Sequence, residues 1–169
     1  MTADRLKKWL PAAIWASLIL LASSDAFSAA HTRSVIEAFF RWLFPAWSPY
    51  SVYKAHLVVR KCAHFFEYAV LAIFVMRGFA RNAEPSTSLG MTSAKEGARR
   101  LGITSAQKIA LQVVLICAMV ATADEVHQHF VPSRTSSPYD VLLDTTGATV
   151  AMLLLRWRKP PGNAERRTA

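Results

Sequence analysis

Residues 109–134 read IALQVVLICAMVATADEVHQHFVPSR. An apolar run from Ile109 to Ala123 is broken only by Gln112 and Thr122. It ends abruptly in Asp124, Glu125 and Gln128, followed by Pro132 and Arg134. The run lies within a segment near 108–127, close to the roughly 20 residues a helix needs to cross a bilayer. Comparable apolar blocks lie near 9–27, 62–79 and 140–157. With 53% hydrophobic and 18% charged residues, the chain is more apolar than an ordinary soluble domain. The expected architecture is therefore all-α: an integral membrane bundle of about four transmembrane helices, with residues 9–157 forming one membrane domain.

The segments between the blocks differ in kind. Val35, Ile36, Phe39, Phe40, Trp42, Leu43, Phe44 and Trp47 are interrupted by Glu37 and Arg41, then by Pro45 and Pro49. That pattern predicts a short interfacial amphipathic helix, too short and too polar to span. Residues 81–105 lack an apolar period and read as a flexible cytoplasmic loop, and residues 158–169 as a disordered basic tail. Arg5, Lys7 and Lys8 before an apolar run also resemble a signal peptide. The run continues past Pro11 to about Phe27, which favours a retained helix.

The formal net charge is +9, but the basic residues flank the apolar blocks and form no stripe of the kind that binds nucleic acid. They concentrate before the first block (Arg5, Lys7, Lys8), around the 81–105 segment and in the tail, with fewer on the opposite side. The positive-inside rule then places both termini in the cytoplasm of a multi-pass inner-membrane protein. Arg60 and Lys61 run against that rule and suggest a ligand. Cys62 and Cys117 lie in different blocks without CxxC spacing, so packing is expected of them and a disulfide is not.

In this topology four distant segments deliver polar groups to one depth. Ser23, Ser24 and Asp25 end the first helix; Lys61, His64, Glu67 and Tyr68 share a stripe of the second. Asp124, Glu125 and Gln128 end the third, Arg134 lies in the following loop, and Asp140 and Asp144 open the fourth. An ionisable group in a membrane helix costs roughly 3 kcal/mol on insertion scales, so a cluster of them pairs internally or lines a wet cavity. Lys61, His64, Glu67, Tyr68, Asp124, Glu125, Gln128, Arg134, Asp140 and Asp144 are thus candidate ligand-binding residues. The alternative is that the same groups form interhelical pairs that hold the bundle together. Arg134, between Pro132 and Pro138, has forked donors suited to phosphate or carboxylate. It serves equally to clamp Asp124 or Asp140. His127 and His129 are two apart on a helix and point to different sides, so no metal site and no cofactor is expected.

The motifs Lys61-x-x-His64-Phe65-x-x-Tyr68, Asp124-Glu125-x-x-Gln128-x-Phe130-x-Pro132-x-Arg134 and Asp140-Val141-x-x-Asp144-x-x-Gly147 resemble the VanZ-like family in order, spacing and layout. The resemblance implies a small bacterial membrane protein of the cell envelope. The founding member is associated with low-level resistance to the glycopeptide teicoplanin. Three positions depart from the family pattern. Arg60 stands where Asp is frequent, Ser133 where Gly is, and Asp144 where Asn is; the extra acid and base are expected to pair with one another.

Three functions remain open. The favoured one is a non-enzymatic protein that binds an amphiphile or lipid-linked cell-wall precursor, alongside membrane lipid, in a pocket at the outer side. The second is a membrane-surface enzyme acting on a lipid-linked phosphate, with Asp124 or Glu125 as general base and His64 as acid. No recognised nucleophile, phosphatase or zinc motif supports it. The third is a structural accessory subunit of another membrane protein.

Overall fold

The computed structural model describes residues 3–24, 29–82, 104–132, 134 and 136–157. Among them the chain is all-helical: α1 (Ala3–Ala22), α2 (Ala29–Leu43), α3 (Pro49–Asn82), α4 (Ser105–His129) and α5 (Pro138–Trp157). The central part of the expected 81–105 loop and the expected basic tail lie outside the described residues.

Local chemistry sets the helix boundaries. Ser48 caps α3, its hydroxyl accepting from the Ser51 N–H at 3.2 Å, and Pro49 takes the first helical position, where a missing N–H costs nothing. Thr104 caps α4 in a reciprocal box. Its backbone N–H donates to Gln107 Oε1 (2.8 Å) and its hydroxyl accepts from the Gln107 N–H (3.3 Å). Ser137 precedes Pro138 at the start of α5 in the same way as Ser48 precedes Pro49, with its hydroxyl accepting from the Tyr139 N–H at 3.3 Å. Because α3 starts at Pro49 and not near Cys62, it is a 34-residue rod of about 50 Å. The polar stripe therefore falls at its middle and not at its end.

The rod is the centre of the molecule. It packs against every other described helix, most extensively against α5, and among the described residues α2 meets the bundle through α3. Tyr68, Leu71, Ala72 and Val75 of α3 meet Ile19 of α1, Val113, Cys117 and Ala121 of α4 and Ala148, Ala151 and Met152 of α5 in one core. Trp9 lies edge-on to Phe79 with ring centroids 5.0 Å apart, and Trp15 donates its indole N–H to the Glu67 carbonyl at 2.9 Å. Both cysteines are free thiols, Cys62 exposed and Cys117 buried.

The expectation of about four spanning helices is met in part. Among the described residues one helix, α4, is long and apolar enough to cross a membrane by length and composition. Elsewhere charges dilute the apolar runs: Lys7 and Lys8 in α1, Arg60, Lys61 and Glu67 in α3, Asp140 and Asp144 in α5. The amphipathic segment forms α2 and a turn in which Phe44 and Trp47 stack at 4.1 Å, with Trp42 77% exposed.

At Gly147 the backbones of α3 and α5 come close together. A Cβ built there would stand 2.2 Å from the Phe65 carbonyl oxygen and 3.1 Å from its carbon. Backbone cannot yield as a side chain would, so α3 and α5 would have to separate. Gly147→Ala should therefore destabilise by about 1–3 kcal/mol, the usual cost of overpacking. Thr146→Ala, on the exposed face, should change little. Thermal unfolding of the purified protein checks both.

Candidate functional site

The sequence-predicted residues separate into an inner layer and a cavity-lining layer. The inner layer is packed between helices: Tyr68, Asp124, Gln128 and Asp144 are at most 1% exposed, and Glu125 is 6% exposed. Ser23, at the end of α1, donates its hydroxyl to Asp124 Oδ2 at 2.9 Å. The Gln128 amide, one turn along α4, donates to the same oxygen at 3.0 Å. Glu125 points the other way, its Oε2 accepting the Ser137 backbone N–H at 2.7 Å, which ties the end of α4 to the start of α5. Asp144 Oδ1 stands 3.8 Å from His64 Nδ1.

Hydrogen-bonding capacity at this depth is not fully used. The Tyr68 hydroxyl, Asp124 Oδ1, Glu125 Oε1, His64 Nδ1 and both Asp144 oxygens are buried without a hydrogen-bond partner among the described residues.

The outer layer faces two cavities. The first, about 220 Å³, lies between α3 and α5 and is lined by Leu57, Arg60, Lys61, His64, Ser137, Asp140 and Leu143. Across it Lys61 and Asp140 form a salt bridge. The second, about 260 Å³, lies among α1, α2 and α3, with Ser23, Ile36, His56, Val59, Arg60, His64, Glu67 and Arg134 in its wall. Arg60 and His64 belong to both. Arg134 donates Nη2 to the carbonyls of Ala22 (2.6 Å) and Ser24 (3.2 Å), capping α1 while lining the second cavity.

Adjoining the second cavity, and sharing Ala22 and Glu67 with it, is an apolar groove of about 270 Å³ walled by Trp15, Leu18, Ile19 and Leu21.

Two expectations change. The extra acid and base do not pair: Asp144 faces His64, and Arg60 has no hydrogen bond or ion pair among the described residues. Asp144 sits in the inner layer and Arg60 on the cavity walls, so the packing of α5 on α3 holds them in different layers. Second, sequence reasoning missed His56, which is 4% exposed and lines the second cavity. The spacing His56, Arg60, His64, Glu67 continues one helical face, a signal usable only once the helix is known to begin at Pro49. Asp25 lies outside the described residues, and His127 and His129 are exposed, with His129 3.4 Å from the Ser136 hydroxyl.

A helical bundle with a polar layer and cavities at one level is the class the fold defines. The VanZ/LLP1 family model matches residues 8–159, nearly the whole chain, and the protein belongs to that family. Searches among curated proteins and among solved structures found no match.

Ser23 and Gln128 serve one carboxylate, so their contributions should be coupled. Ser23→Ala and Gln128→Leu should each cost about 1–3 kcal/mol, the range for removing one partner of a buried hydrogen bond. The double variant should depart from additivity. Unfolding of the four proteins of this cycle decides it; strict additivity would mean that Asp124 does not couple them.

Proposed function

We propose that this VanZ/LLP1 protein is a multi-pass protein of the bacterial cytoplasmic membrane that binds an amphiphile, of which a lipid-linked cell-wall precursor is one kind. The observation that carries the reading is the junction at Ala22 and Glu67 between a cavity whose wall carries Arg60, His64, Glu67 and Arg134 and a groove otherwise walled by apolar side chains. A head group in the first and a chain in the second would bury each part of such a molecule in matching surroundings. A cavity of about 260 Å³ is below the usual ~300–1,000 Å³ of a whole small-molecule pocket and suits a head group alone.

Support for the membrane placement comes from the outer faces. Leu6, Leu10, Ile14, Leu18 and Leu21 on α1, Leu111, Leu115, Met119 and Val126 on α4, and Leu142, Leu153 and Leu154 on α5 are all exposed large apolar side chains. Lipid is the solvent that removes the cost of such surfaces. The exposed aromatics of α2 and its turn suit the interface, where Trp is favoured. In this reading the inner residues Tyr68, Asp124, Glu125, Gln128 and Asp144 hold the helices that form the walls, and Lys61, His64, Glu67, Arg134 and Asp140 face the ligand. An opening toward the envelope side puts the site where a lipid-tailed glycopeptide acts, and teicoplanin susceptibility is the matching phenotype.

Ala22→Phe tests the junction, since Ala22 is exposed and the contact of Arg134 to it is through the backbone. The variant should fold and lose most of the amphiphile that co-purifies with the wild type, measured by lipid extraction and mass spectrometry. Unchanged retention would count against the reading. Topology is checked with Ser24→Cys, Ser137→Cys and Ser93→Cys in a chain lacking Cys62 and Cys117. An impermeant maleimide on intact cells should label positions 24 and 137 but not 93; the reverse would turn the site to the cytoplasm.

A further inference from the structure

We infer that Arg60 is the head-group-selecting residue of the site and that the amphiphile it selects carries a phosphate. The inference rests on the amphiphile reading above and adds a residue and a ligand chemistry to it. Arg60 is half-buried, lines both cavities, and has no hydrogen bond or ion pair among the described residues.

The other cations of the cavities are already engaged. Lys61 is bridged to Asp140, and Arg134 holds the α1 carbonyls of Ala22 and Ser24. In the second cavity Glu67 is the acidic side chain, set against Arg60 and Arg134, so the wall carries excess positive charge. The guanidinium of Arg60 offers a planar fork that fits the oxygens of a phosphate two at a time. Its surroundings are mixed: Ile36, Val59, Ala63 and the continuing groove are apolar, so the anion's carrier is a chain-bearing molecule. Snorkelling of Arg60 to a membrane surface would explain its position without a ligand. It would not make binding depend on Arg60.

The full chain, held in a non-ionic amphipol, is titrated calorimetrically with dodecyl phosphate, dodecyltrimethylammonium, dodecanol and inorganic phosphate. Dodecyl phosphate should bind saturably and more tightly than the others, by on the order of tenfold, as a charged hydrogen bond gives. Arg60→Gln should remove that advantage, bringing dodecyl phosphate down to the affinity of dodecanol, while dodecanol itself still binds and so reports an intact groove. Arg60→Lys should retain part of it. Wild-type affinity for dodecyl phosphate in Arg60→Gln overturns the assignment of Arg60 and leaves the amphiphile reading standing. Should the Gln variant lose dodecanol as well, Arg60→Lys decides: a loss of a few-fold confined to dodecyl phosphate supports the assignment, and undiminished affinity overturns it. Inorganic phosphate binding as tightly as dodecyl phosphate would overturn the lipid source in favour of a soluble phosphate. If no amphiphile of any charge binds the wild type, the amphiphile reading itself falls.

Discussion

The close contact of Gly147 with the Phe65 carbonyl governs the rest of the structure. It lets α5 lie against the backbone of α3 at the level of His64, and Asp144, one turn earlier on α5, is thereby brought to His64 and fully buried. Ala148 and Ala151 continue the close approach, keeping α5 near the rod below the polar layer. With α3 and α5 fixed together, Lys61 meets Asp140 across the first cavity, and Ser137 is carried to within 2.7 Å of Glu125. A small residue at one position thus sets the spacing on which the polar layer and the cavity mouth depend.

The polar layer has a division of labour that follows from burial. Asp124 receives two donors and is completely enclosed, and Glu125 is committed to a backbone N–H. Neither lines the cavities described, so a ligand there meets His64, Glu67, Arg60, Lys61, Asp140 and Arg134 instead. This arrangement suits recognition of a head group more readily than general-base chemistry by Asp124 or Glu125, which would need to reach the reacting atoms.

Much of the fold was legible because charges interrupt apolar runs at defined points. The convergence of Lys61, His64, Asp124, Gln128, Asp140 and Asp144 follows from helix ends and periodicity. What could not be read was where α3 begins. Pro49 was visible as an interruption of an amphipathic segment, and only the Ser48 cap makes it the first residue of a long helix. That one boundary hid His56 and misplaced the stripe relative to the helix end. Pairing was equally illegible: Arg60 and Asp144 are complementary in charge, but which partners meet depends on the rotation of α5 against α3, which periodicity alone does not fix. The apolar character of α4 is read directly from its sequence, whereas the exposed apolar faces of α1, α3 and α5 are defined only by packing.

Arg60 and His64 form a wall common to both cavities, and they stand on a helix that is unbroken from Pro49 to Asn82. A continuous helix has no internal hinge at this level, so its two sides move as one body. Arg60 and His64 are thus a partition with a cavity on either side, and a change of rotamer in either one reshapes both spaces at once.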